Sequence, residues 1–143
     1  MRFAVLHHSL PESNIRPSHW DLLLQFSNYQ FVEERCLDCF ELNLPPDQWS
    51  SLAVTRLPSH RALYLNYSGP ISGNRGSVEL VLTGEMKWHV REEHNFEFEL
   101  IADPSSHPNQ WNVSGQRFQL SRQGEDHWFL KLQPFRTKNI EMQ

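Results

Sequence analysis

The sequence predicts an all-β fold: a single compact antiparallel β-barrel with at most one or two short helical turns. Three observations predict it. Short runs alternate apolar and polar residues, most cleanly in Phe96–Leu100 (FEFEL), and a period of two marks a half-buried strand. Clusters of Gly, Pro, Asn and Ser separate nearly all of these runs, giving about eight to ten strands, a spacing typical of sandwiches and barrels. No segment keeps a 3.6-residue period long enough for a packed helix. Aromatic residues make up 12% of the chain, with five Trp and nine Phe, which suits a β-rich core.

Each element follows in order. Arg2–His8 reads as the first strand and ends in two histidines. A polar, proline-bearing loop leads to a second strand that opens with His19-Trp20-Asp21 and runs to Phe26. Side chains alternate along a strand, so His19 and Asp21 share one face while Trp20, Leu22 and Leu24 share the other. Ser27–Gln30 reads as a hairpin turn and Phe31–Leu42 as the third strand. Pro45-Pro46 ends it. Pro46–Leu52 is the one helix candidate, because proline is tolerated at the first helical position. Arg61–Tyr67 reads as a strand with His60, Ala62, Tyr64 and Asn66 on one face. Ser68–Gly76 is a loop with three glycines, and Gly76–Leu82 is the next strand. Gly84 punctuates. Glu85–Glu92 and Asn95–Ile101 form a hairpin around Glu93-His94, and Ala102–Gln110 is a loop. Asn112–Ser121 and His127–Gln133 form a last hairpin. Residues 1–135 are expected to form one domain and 136–143 a C-terminal tail.

A length of 143 residues fits one domain with its own core. Hydrophobic content is 38% and mean hydropathy −0.59. The net charge of −4 and pI near 6.0 exclude a global basic footprint for nucleic acid, so any such contact is local. No stretch approaches the ~20 apolar residues of a membrane span. Met1-Arg2 is followed by too short an apolar run for a signal peptide. A cytoplasmic protein with no membrane partner is expected. Cys36 and Cys39 form a lone C-x-x-C. A zinc ribbon needs a second pair, and a redox motif needs a βαβ context. The two are read as buried free thiols pointing to opposite faces of a strand.

Eight histidines are the composition's pointer to metal or acid–base chemistry. His7 and His8 adjoin and face opposite ways, so one of them at most shares a site. If the first two strands pair antiparallel, that one lies near His19 and Asp21. His60 opens a strand just before the glycine-rich loop. A site framed by His8, His19, Asp21 and His60 has three imidazoles and one carboxylate, a set suited to Mn²⁺, Fe²⁺ or Zn²⁺ rather than Mg²⁺ or Ca²⁺. His89, His94, His107 and His127 read as surface or turn residues.

The runs RFAVLHH…SHWDLLLQF, LPSHRALYLNYSGPISGNRGSVELV and GQRFQLSR…HWFLKL resemble, in order, the 3′-phosphoesterase domain of bacterial DNA ligase D and its stand-alone relatives. The resemblance implies a compact β-barrel with a divalent metal, typically manganese, that removes a terminal ribonucleoside and then a 3′-phosphate from DNA ends. It places His8, His19, Asp21 and His60 at the metal positions and Tyr64 at a tyrosine near the phosphate. Trp20 then packs between ligands. The chain departs from the family in several places. The loop between His8 and His19 is longer. Leu6 and Leu23 stand where the family has a polar residue and an arginine. Its lysine has no match near Leu42–Pro46, its paired Arg-Asp ahead of the barrel is absent, and Pro58-Ser59 replaces its acidic residue.

Phosphoryl transfer needs cations on the phosphate oxygens. Arg75 in the glycine-rich loop is the preferred candidate, with Arg61 beside His60, and Arg16 and Arg56 are further ones; His7 is a candidate acid or base. The expected function is metal-dependent phosphoester hydrolysis, a hydrolase activity in DNA repair acting on nucleic-acid 3′ ends, with a separate DNA ligase or polymerase chain as a possible partner. The alternative is a catalytically weakened, metal-bound module that binds nucleic-acid ends or a protein. A third reading is a scaffold without metal.

Overall fold

The structure is a computed structural model that describes residues 1–104 and 115–133. Nine strands form one antiparallel sheet: β1 (Arg2–Ser9), β2 (His19–Gln25), β3 (Arg35–Leu42), β4 (Ser51–Arg61), β5 (Gly69–Pro70), β6 (Ser77–Glu92), β7 (Asn95–Ala102), β8 (Gln116–Arg122) and β9 (His127–Gln133). The order is β1-β2-β3-β4-β9-β8-β7-β6-β5, and β1 also pairs with β6, so eight strands close a ring. The all-β class holds. The only helical segments among the described residues are 3₁₀ turns at Pro46–Gln48 and Ala62–Asn66. No helix there is long and apolar enough to cross a membrane. Part of the Ala102–Gln110 loop, the start of the Asn112–Ser121 strand, His107 and the 136–143 tail lie outside the described residues.

Several boundaries differ from the sequence reading, each for a physical reason. The turn at Ser27–Gln30 is instead a longer connection. The Glu34 carboxylate accepts hydrogen bonds from the backbone N–H groups of Gln30 and Phe31, so the chain enters β3 only at Arg35. The helix candidate Pro46–Leu52 is one 3₁₀ turn. Beyond it runs β4, whose Leu52 and Val54 point inward despite Pro58 in the strand. Between the pairs Leu37↔His60 and Cys39↔Leu57, β4 holds one more residue than β3, so Pro58-Ser59 sits in a bulge. The strand expected at Arg61–Tyr67 is a 3₁₀ turn, which buries Ala62 and Leu65 together at a spacing of three. Gly84 does not punctuate. It sits inside the long β6, paired with Phe3 on one side and Ala102 on the other. A Cβ there would lie 2.0 Å from the Ile101 carbonyl oxygen, so only glycine lets the strands approach.

The ring encloses the main core, with Phe3, Phe40, Phe98, Phe118, Trp128 and neighbouring leucines fully buried. A second cluster lies on the other face of β1, β2 and β3, covered by the 62–66 turn; it includes Leu6, Leu23, Leu37, Cys39 and Leu65. Both cysteines are free and buried, and both join this cluster instead of facing apart. The cause is an extra residue on β3 between the pairs Arg35↔Arg61 and Leu37↔His60, which resets the alternation at Cys36.

Asp38 is buried with the main core. Arg91 forks onto both its oxygens at 2.9 and 3.0 Å, and Arg56 adds a third bond at 3.0 Å. Both guanidiniums lie over aromatic rings, Arg56 over Phe96 at 5.2 Å and Arg91 over Phe26 at 4.4 Å. Arg56, a candidate phosphate cation by sequence, is therefore committed to structure. Asp38→Ala is expected to lower unfolding free energy by about 2–3 kcal/mol, less than a fully buried pair loses because both guanidiniums keep part of their water. A fall in the urea midpoint at unchanged m-value measures it.

Candidate metal centre

The antiparallel register of β1 and β2 sets His8 opposite His19 and Leu6 opposite Asp21. Residues directly opposite share a face, so His8, His19 and Asp21 meet on the outer side of the sheet, continuous with the second apolar cluster. His7 pairs with Trp20 and faces the other way. Their ring centroids lie 4.7 Å apart with the planes tilted by 31°, and Trp20 packs against the main core.

One donor atom from each of His8, His19 and Asp21 lies within 4.8 Å of the other two. His8 Nδ1 is 3.1 Å from His19 Nε2 and 3.7 Å from Asp21 Oδ2, and His19 Nε2 is 3.4 Å from Asp21 Oδ1. The 3.1 and 3.4 Å spacings match the ~3.0–3.4 Å edges of a polyhedron with ~2.1 Å metal–ligand bonds, and the 3.7 Å one is slightly wider. His8 Nε2 lies 2.8 Å from the Arg75 carbonyl oxygen, which only accepts, so Nε2 carries a proton and, when the ring is neutral, the Nδ1 lone pair faces the cluster. A backbone carbonyl holding the far N–H is a common support for a metal-ligating histidine. Asp21 Oδ1 and His19 Nδ1 are buried and have no hydrogen-bond partner among the described residues. A buried carboxylate oxygen without a donor, beside two imidazoles, fits a borderline divalent cation such as Mn²⁺, Fe²⁺ or Zn²⁺.

The charges interact strongly. The Asp21 carboxylate raises the His8 pKa above its usual 6.5 against the pull of burial, and the Arg75 carbonyl adds to the rise. Burial pushes the Asp21 carboxyl up, but His19 and His8 outweigh it and hold it below 3.8.

The cluster sits in a cleft of about 400 Å³ whose lining also includes His60, Tyr64, Arg75, Arg16, Arg35 and Glu41. His60 shares the cleft but not the three-residue cluster. Its Nδ1 approaches the Pro58 carbonyl at 2.9 Å and its ring packs edge-on to Tyr64 at 5.7 Å. That contact survives the loss of the expected strand because the 3₁₀ turn brings Tyr64 back toward His60. Arg75 is in the loop, its guanidinium on Ser72. Arg61 does not line the cleft; it lies over the Tyr64 ring at 5.4 Å. Arg16 lines it, but its Nη2 donates to both Glu41 oxygens at 2.8 and 2.9 Å.

The sequence reading missed Glu41 and Arg35. Glu41 is the Cα partner of Asp21, and its Oε1 lies 3.7 Å from His19 Nε2. A turn at Ser27–Gln30 would instead have set Asp21 opposite Cys36. Only the longer connection brings Glu41 to the site. Comparison with known proteins finds no matching family model and no matching curated protein.

In metal-free protein the His8 ring is expected to titrate above 6.5, and Asp21→Asn brings that value down; an NMR titration of the imidazole resonances checks both. The stability this contact adds is complete below the unfolded value of 6.5 and is lost as pH rises through the folded value. The Asp21 contribution runs the other way, present above 3.8 and lost as pH falls through its depressed value.

Proposed function

We propose that this chain is a metal-dependent phosphoesterase that processes 3′ ends of DNA in repair, resembling the 3′-phosphoesterase of DNA ligase D, built on a ring of strands we read as a compact barrel. The observation that carries this reading is the convergence of His8, His19 and Asp21 on one point beside arginines in one cleft.

His8, His19 and Asp21 would hold the cation, with manganese the first choice and His60 at the cleft wall as the further ligand the resemblance implies. A bound divalent ion supplies Lewis acidity toward a phosphate oxygen and lowers the pKa of water. The chain's own residues do the rest. The Arg75 carbonyl fixes the His8 ring, and the Arg75 guanidinium faces the phosphate with Tyr64. Arg61 supports Tyr64 from behind. Leu6 and Leu23, at positions where the family carries polar or cationic groups, are fully buried in the second apolar cluster, so the cations must come from these loop and strand-end arginines.

The second reading is a metal-bound module that binds nucleic-acid ends or a protein without turnover. The neutralisation of Arg16 by Glu41 favours it, since one cation of the cleft is already spoken for. A separate ligase or polymerase chain as partner and a cytoplasmic site of action belong to the enzyme reading.

Manganese-dependent release of phosphate from a primer–template with a 3′-phosphate is the expected activity, with one metal bound per chain. His19→Ala is expected to lose both by at least about 100-fold, the scale of losing transition-state charge stabilisation. Metal bound at one per chain with no turnover on this substrate would sink the enzyme reading and leave the binding module.

A further inference from the structure

Nine arginines lie among the described residues, and their partners divide them sharply. Five have a carboxylate: Arg2 with Asp103, Arg16 with Glu41, Arg56 and Arg91 with Asp38, and Arg117 with Glu97. Arg35, Arg61, Arg75 and Arg122 have none within 4.0 Å among the described residues. Three of these four gather at one place. Arg35 and Arg75 line the cleft of the His8–His19–Asp21 cluster, and Arg61 is the Cα partner of Arg35 across β3 and β4.

Like charges directly opposite on neighbouring strands are destabilising, and among the described residues no carboxylate lies within 4.0 Å of either guanidinium. Arg35 uses Nη1 on the Ser59 carbonyl at 2.7 Å, and Nε and Nη2 have no acceptor among the described residues. Arg75 is tied the same way, to the Ser72 carbonyl at 2.7 Å. A neutral carbonyl orients a guanidinium without cancelling its charge. In a chain of net charge −4, this is a local positive field built from oriented, unneutralised groups.

We propose that Arg35 is an anion-binding residue of this cleft and acts with Arg75 as a two-sided clamp on a phosphate group, while Arg16, neutralised by Glu41, has no share in it. The inference rests on the phosphoester reading only for the identity of the anion. Arg35 is offered as a binding residue, not as one that touches the reacting bond.

The test is calorimetric titration of the metal-free chain with inorganic phosphate at low ionic strength, where a surface charge effect is least screened. Wild type is expected to bind. Arg35→Met and Arg75→Met each weaken binding about tenfold or more, the scale of a lost charge-assisted hydrogen bond. Arg35→Lys recovers part of the loss. Arg122→Met removes an equal charge from a different cavity and leaves affinity within about twofold. Near-UV circular dichroism of the tryptophans establishes that each variant is folded. Phosphate affinity unchanged in folded Arg35→Met, an equal loss in Arg122→Met, or no phosphate binding by wild type overturns the proposal. Because the measurement needs neither metal nor turnover, Arg35-dependent binding without catalysis would leave this inference standing and remove the enzyme reading.

Discussion

Strand β1 is hydrogen-bonded on both edges, to β2 and to β6, and the rest of the structure depends on this double pairing. Its contact with β6 closes the eight-strand ring and so creates an interior for the aromatic core. Its contact with β2 brings His8 opposite His19. A slip of one residue would turn His7 to the cleft and send His8 into the face now packed by Trp20. Packing on both faces resists that slip, because it would exchange Phe3 and Val5 of the main core for Ala4 and Leu6 of the second cluster. Core packing therefore sets the register that assembles the cluster.

The two faces of β1, β2 and β3 carry different work. The inward face is sealed by large side chains, and the charged group among them, Asp38, is held by three hydrogen bonds from two arginines. The outward face is apolar at one end, where the 62–66 turn covers Leu37 and Cys39. It becomes polar at the other, where β1 ends and β2 begins. This grading puts His19 and Asp21 in a nearly water-free wall of a cleft that is itself open. Burial makes their charges expensive to leave uncompensated, while the opening admits a ligand.

The electrostatics of the cleft come from loops and strand ends, not from the cluster alone. Glu41 consumes Arg16, whereas carbonyl oxygens orient Arg35 and Arg75 without neutralising them. The His8 ring is fixed by a carbonyl from the same glycine-rich loop that carries Arg75, so loop and cluster are mechanically one unit. Gly76 permits this closeness: its φ is +87°, and a Cβ there would lie 1.9 Å from the Ser9 carbonyl oxygen.

The sequence by itself determined the all-β class, most strand positions, the sharing of a face by His19 and Asp21, and the rule that only one of His7 and His8 can join them. These follow from side-chain alternation, a local property of an extended chain. Only the tertiary structure decided that Glu41 stands opposite Asp21 and that Arg35 reaches the cleft. It also decided that Arg16 and Arg56 are already paired, that Tyr64 rides on a 3₁₀ turn, and that both cysteines face one way. Each of these depends on a register, a bulge or a ring closure between residues far apart in the chain. A single extra residue in a strand or connection reverses the face of everything beyond it, and alternation alone carries no record of where those extra residues fall.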